Sequence, residues 1–307
     1  MRQKRGSLII AVVALTAITL LTSTSTAQTP ATTSQGSTAD QFMALMKNLN
    51  PELQAGNAVY SLHSAEFLTP DNAGEVGQTV FFNDRTKQLG AHFVPFDPRR
   101  GGRGNITYMV DQTEGAINGM TVDQTTAAID RAMATWNAVH CSTIPITKLP
   151  DIPELDLGLV ESQLGLPGQR QYFRADITHA GWLPFYVLPT NVIGVTFTFI
   201  FVDPATGAPT DIDNNGKLDV AFRETYYNDL YSWSINGDVD VQTVALHESG
   251  HGLSQGHFGK AFGTDANGKI HFAPLAVMNA AYSGVQQDLK GTDNGGHCSI
   301  WGSWPNN

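Results

Sequence analysis

The spacing of apolar and polar positions changes several times along the chain, and each change marks an element. Gly104-Asn-Ile-Thr-Tyr-Met-Val110 reads as a strand. Thr121-Val-Asp-Gln124 is a capping box. Val122, Ile129, Ala132, Met133 and Trp136 then lie on one helical stripe. Asp176 to Trp182 and Val192 to Val202 read as further strands, the second rich in the β-branched and aromatic residues that strands favour. Val241, Val244 and Ala245 return to helical spacing, with Asp238 or Asp240 placed to cap the helix. Gly250, Gly252 and Gly256 are poor helix formers, so this helix is expected to stop soon after His251. Before residue 104 the pattern is weaker. Asp40 to Leu49 suggests a short helix, and Val76 to Phe82 and His92 to Phe96 suggest strands.

The first residues follow a different logic. Arg2, Lys4 and Arg5 precede an apolar or small run from Ser7 to Leu21, and Ser25-Thr-Ala27 offers a cleavage site before Gln28. Residues 1–27 are therefore expected to be a signal peptide, which makes the protein secreted. The run is short for a membrane span, so no stable membrane association is expected after cleavage. Residues 28–39 are Thr-, Ser- and Gln-rich and read as a disordered linker. Residues 40–103 read as an N-terminal extension packed on the main domain, or as a propeptide cut at the basic Arg99-Arg-Gly-Gly-Arg-Gly104 stretch. Residues 104–307 form that main domain.

The 307 residues carry a formal net charge of −10, from 18 basic and 28 acidic side chains. Removing residues 1–27 takes away three basic groups and no acidic one, leaving 15 − 28 = −13. That balance argues against nucleic acid and anionic membranes as partners. Cys141 and Cys298 are the two cysteines. In an oxidising compartment they read as a disulfide, closing a long loop worth about 4–5 kcal/mol in the chain-entropy model.

The chemistry concentrates in His247-Glu-Ser-Gly-His251-Gly-Leu-Ser-Gln-Gly-His257. On a helix, His247 and His251 project from one face and suit a single Zn²⁺. Glu248 is placed to act as general base on a water that the metal acidifies. No glutamate follows Glu248. Asp265, Asp288 and Asp293 remain as downstream carboxylates, but His257 is the simpler third ligand.

These residues resemble the metzincin clan of zinc endopeptidases, and within it the matrixin-like secreted peptidases. That pattern is His-Glu-x-x-His-x-x-Gly-x-x-His followed by a methionine turn. His247, Glu248, His251 and His257 match it position by position, and Pro274-Leu-Ala-Val-Met278-Asn-Ala-Ala-Tyr282 matches the turn. The resemblance implies an α+β catalytic domain over residues 104–307: a twisted, mostly parallel five-stranded sheet with an active-site helix, beside a small β-rich N-terminal extension. It implies Met278 as a floor beneath zinc and Tyr282 as a pocket residue. It also implies an edge strand that pairs with an extended substrate; the run Val195 to Val202 is that strand or a central one. Ser254 departs from the family's glycine. A serine there costs roughly 1–2 kcal/mol if it takes the same left-handed turn, unless Gly256 absorbs the turn. No cysteine lies between Gln28 and His140 to latch the zinc, so inhibition would fall to an Asp, a Glu or His63.

Asp211-Ile-Asp-Asn-Asn-Gly-Lys-Leu-Asp219 is a second metal signal. Asp211, Asp213, Asn215 and Asp219 fall at positions 1, 3, 5 and 9 of a calcium loop, with Gly216 at 6, though Phe222 stands where an EF-hand has glutamate. The bland reading is an Asn-Gly hairpin turn. Asp176 and His179 fall where matrixins hold a structural zinc, but the full histidine set is missing. His271 and His297 are expected at the surface or behind the ligands. The aromatic stretch Glu224 to Trp233 either lines a cleft or packs inside. The expected function is a secreted, monomeric zinc endopeptidase acting on protein or peptide substrates. The alternatives are a catalytically inactive zinc- or calcium-binding adhesion module, and a calcium-stabilised structural protein.

Overall fold

The computed structural model describes residues 36–306 except 84, 86–89, 170–173, 185–186 and 265. The expected signal peptide, most of the expected linker and Asp265 lie outside the described residues. The described chain forms one unit. In order, its elements are α1 (Thr38–Ala55), β1 (Tyr60–Pro70), β2 (Thr79–Phe81), β3 (Ala91–His92), a 3₁₀ turn (Pro98–Arg100), β4 (Ile106–Val110), α2 (Val122–Asn137), β5 (Ile146–Lys148), α3 (Leu159–Gln163), β6 (Ile177–Leu183), β7 (Gly194–Phe201), β8 (Leu218–Asn228), β9 (Trp233–Ser234), β10 (Val239–Asp240), α4 (Val241–Gly252), β11 (Lys260–Gly263), β12 (Ile270–Ala273), β13 (Ala281–Tyr282) and α5 (Gly291–Trp301).

The architecture is mixed α+β, built on a nine-stranded mixed sheet. Its main path runs β13-β1-β7-β8-β6-β4-β5, with β2 paired to β1 and β3 to β8. The expected five-stranded sheet is thus corrected: four more strands join it. The β5, β4, β6 and β8 run is parallel. β7 is antiparallel to β8 on one side and to β1 on the other. β1, β2 and β3, which fall in the expected N-terminal extension, are therefore strands of the main sheet. Thr38 and Ala39, expected in the linker, open α1, where Ser37 and Asp40 make a capping box.

Two cores flank the sheet. One takes α2 and α4 with Ile106, Ile177, Val220 and Tyr227; the other takes α1 and α3 with Phe67, Phe197, Phe199 and Tyr226. The alternation in β7 explains the division. Val195, Phe197 and Phe199 face the α1 side, while Thr196 turns to α4 and bonds Glu248 there. The Thr121–Gln124 capping box opens α2 as its sequence predicts. Cys141, just past α2, is bonded to Cys298 in α5. Among the described residues, no helix is long and apolar enough to cross a membrane.

Candidate metal centre

Asp240 caps α4, accepting from Thr243 N at 2.9 Å and Thr243 Oγ1 at 2.6 Å. Every residue of this helix is buried. Four residues apart, His247 and His251 bring their Nε2 atoms to 3.1 Å. His257 Nε2 lies 3.2 Å from that of His251. Two nitrogens of a tetrahedral zinc site, each about 2.0–2.1 Å from the ion, stand about 3.3 Å apart. The donor set therefore fits zinc in chemistry and in spacing.

The other ring nitrogens fix the orientation. His247 Nδ1 lies 2.7 Å from Val277 O, and His251 Nδ1 lies 2.7 Å from Gln255 O. Carbonyls only accept, so each Nδ1 carries the proton and each Nε2 presents its lone pair. Burial pushes His247 down to about 4. Burial, with the neighbouring histidines next, holds His251 and His257 well below the ordinary imidazole range. All three are neutral at neutral pH, the state that ligates.

Glu248 is fully buried. Its Oε2 accepts from Thr196 Oγ1 at 2.8 Å, and its Oε1 has no hydrogen-bond partner. A Cβ at Gly194 would stand 2.8 Å from that Oε1, so the glycine makes room for it. Burial raises the carboxyl well above its ordinary range, Thr196 opposes this and Glu66 adds to it.

Met278 lies beneath the helix. A Cβ at Gly250 would collide with its sulfur and with Trp136, so the glycine inside the motif allows the turn to pack this closely. Asp293 is not with the histidines. Its carboxylate accepts from Val277 N at 3.0 Å and Met278 N at 3.1 Å, and so braces the turn that also orients His247. The Tyr282 hydroxyl accepts from Asp240 N at 3.0 Å, tying the segment after Met278 to the start of α4.

Ser254 takes the turn usually given to glycine, at φ +65, whereas Gly256 has no positive φ. Its Oγ accepts from Arg223 Nη1 at 3.0 Å and donates to Ala91 O at 2.9 Å. Arg223, fully buried on β8, also reaches Gly252 O at 2.7 Å. Sequence reasoning missed Thr196 and Arg223, and it named Asp293 only as an alternative ligand. Thr196 was legible as a polar position on alternate residues of β7; the other two act across long sequence separations.

The remaining candidates fall elsewhere. Asp211, Asp213 and Asp219 bring one oxygen each within 4.8 Å of the others. Asp219 is already paired with Arg99 at 2.7 Å, and the Asn215 amide donates to Asp213 at 3.0 Å. Asp176 and His179 do not form a second cluster. Asp176 is held by Arg100 and Arg103, and His179 Nδ1 meets Tyr227 OH at 2.7 Å. His297 is fully buried and stacks on Trp136, so of its two expected places the surface is excluded; His271 is partly exposed. Tyr226 and Tyr227 of the aromatic stretch are buried packing residues. Arg99, Arg100 and Arg103 are engaged in ion pairs, Arg100 almost wholly buried, so this basic stretch braces the fold. His63 is buried on β1 and pushed down to about 4 by burial and Arg223. Glu66, also on β1, comes within 3.6 Å of His251 Nδ1, the ring edge away from the Nε2 cluster.

Compared with known protein families and with curated proteins, the chain matches none.

Proposed function

We propose that the protein is a zinc-dependent endopeptidase with a metzincin-like catalytic domain. The observation that carries this is the convergence of three neutral histidine Nε2 atoms next to a buried glutamate with an unpartnered oxygen. The fold supports it: β5-β4-β6-β8-β7, parallel except for β7, with α2 and α4 on one face, has the layout such a domain requires. His247, His251 and His257 would hold the metal. A bound zinc supplies a Lewis acid and acidifies water. Glu248 takes the proton from the attacking water and passes it to the leaving amine, a role suited to its raised pKa. Thr196 holds the carboxylate through Oε2 and leaves Oε1 for the proton. Calcium at Asp211, Asp213, Asn215 and Asp219 is a secondary proposal, and export of the chain rests on its first 27 residues.

One observation favours the second reading, a zinc-binding module without activity. The free edge that β7 would offer a substrate is filled by β1, from Tyr60 with Phe201 to Leu68 with Gly194. β13, just after Met278, pairs in parallel with the end of β1. A peptide that paired with β7 would have to displace β1. Incubating the zinc-loaded chain with a broad peptide library, before and after limited proteolysis, separates the two readings. Cleavage is expected, with a loss of about 10²–10⁴-fold in Glu248→Ala. Zinc-loaded protein that cleaves nothing in either form would leave the inactive module as the answer.

A further inference from the structure

β7 and β8 pair antiparallel in the middle of the sheet, and their register sets Thr196 opposite Thr225. Both residues are completely buried. Both turn to the α4 side, where Thr196 Oγ1 meets Glu248 and Thr225 Oγ1 lies 3.0 Å from Thr196 Oγ1. Their neighbours Val195, Phe197 and Tyr226 pack in the opposite core. Valine fills almost the same volume as threonine and suits a strand as well. A buried hydroxyl is costly unless it is hydrogen-bonded. Packing alone therefore gives no reason for a threonine at either position.

Counting protons gives the pair a direction. Three oxygens lie within reach of Thr196 Oγ1: Glu248 Oε2 at 2.8 Å, Thr225 Oγ1 at 3.0 Å and the Glu248 backbone oxygen at 3.2 Å. The Thr196 hydroxyl has one proton to give. A carboxylate and a backbone carbonyl only accept, so Thr225 is the one neighbour of the three that can donate. Among the described residues, Thr196 Oγ1 is also the one hydrogen-bond partner of Thr225 Oγ1. A buried hydroxyl keeps its proton on an acceptor, so Thr225 donates to Thr196. Thr196 is thereby filled as an acceptor towards Thr225, and its own proton is left for Glu248. Hydrogen bonds in series polarise one another, so Thr225 both aims and strengthens the bond that Glu248 Oε2 receives.

We propose that Thr225 is a positioning residue for Glu248 and acts on it only through Thr196. The chain from Thr225 to Thr196 to Glu248 Oε2 fixes the carboxylate from the sheet side. Oε1 then stays unpartnered in the space that Gly194 provides. The role in catalysis rests on the reading of Glu248 as general base. The hydroxyl chain itself needs no metal, so it can be measured apart from activity.

The test is a double-mutant cycle on the full chain, with Thr196→Val, Thr225→Val and the two together. Without metal, each single variant should lower the urea midpoint. The double variant should be no less stable than Thr196→Val, because that change already strands the Thr225 hydroxyl. With zinc loaded, Thr196→Val should lower kcat on a cleaved peptide by about 10–100-fold and Thr225→Val by about 3–10-fold. KM and zinc stoichiometry should not move, and the double variant should lose no more kcat than Thr196→Val. Thr225→Ser keeps the hydroxyl and should recover most of the kcat lost in Thr225→Val. Should either valine prevent folding, the corresponding alanine carries the same expectation. Additive midpoint shifts would overturn the hydroxyl chain whether or not the protein cleaves peptides. Additive losses in kcat, or a Thr225→Ser variant as impaired as Thr225→Val, would overturn the positioning role. A zinc-loaded wild type that cleaves nothing would overturn the general-base reading and the positioning role with it, even where the midpoints bear out the chain.

Discussion

At φ +65 a side chain crowds its own backbone, and Ser254 accepts this for the sake of its hydroxyl. The Oγ is fixed between Arg223 and Ala91, so the turn to His257 is anchored to β8 and β3 at once. Glycine would relieve the crowding but lose both bonds; alanine would lose the bonds and keep the crowding. Ser254→Ala should therefore destabilise by about 1–3 kcal/mol, and Ser254→Gly by less, in urea denaturation. A Ser254→Ala variant as stable as the wild type would show that the hydroxyl does nothing for the turn. The departure at Ser254 is visible in the sequence. Its remedy is not, because Arg223 lies 31 positions away and looks like any strand residue.

Between elements, the buried pairing of β4 with the 3₁₀ turn through Asp176 makes the clearest energetic statement. Asp176 accepts from Arg100 and Arg103 at 2.9 Å each and from Thr107 N at 2.8 Å. Burial alone would raise its pKa, but the arginines outweigh burial and hold it below 3.8. A folded value below the unfolded one gives stability that is complete above 3.8 and is lost as pH falls through the folded value. Asp176→Asn should cost about 3–5 kcal/mol at neutral pH by stranding the buried Arg100 guanidinium and the partly buried one of Arg103. It should also flatten the acid limb of the stability curve, read by denaturant titration at each pH. Elements with strong local signals were legible: α2 through its capping box, β7 through its β-branched and aromatic run, α4 through its stripe and glycines. β1 was not, because a bulge at Leu62/Ser64 breaks its period and its His63 and Ser64 are buried polar residues. α5 was hidden by three glycines. Its helix is held by tertiary contacts instead: the disulfide at Cys298, and Trp301 Nε1 donating to Leu253 O at 2.8 Å.

For the whole molecule, the N-terminal residues and the C-terminal helix close the structure around the candidate metal centre. β1 completes the sheet on one side, and the Cys141–Cys298 bond closes a 157-residue separation on the other. Replacing both cysteines by serine should cost about 5 kcal/mol in the chain-entropy model, measured as a shift in the denaturation midpoint at constant slope. The histidine motif was legible from spacing alone, since four-residue spacing on a helix dictates a shared face. The covering of β7 was not, since it depends on a pairing between residues more than a hundred positions apart. The proposed activity rests on one zinc. X-ray absorption at the zinc edge, with metal analysis of the zinc-loaded chain, addresses it most directly. One zinc per chain is expected, with about three nitrogens at 2.0–2.1 Å, and His257→Ala should lower both the nitrogen count and the affinity. A chain that takes up no stoichiometric zinc, or binds it equally well without His257, would contradict the reading.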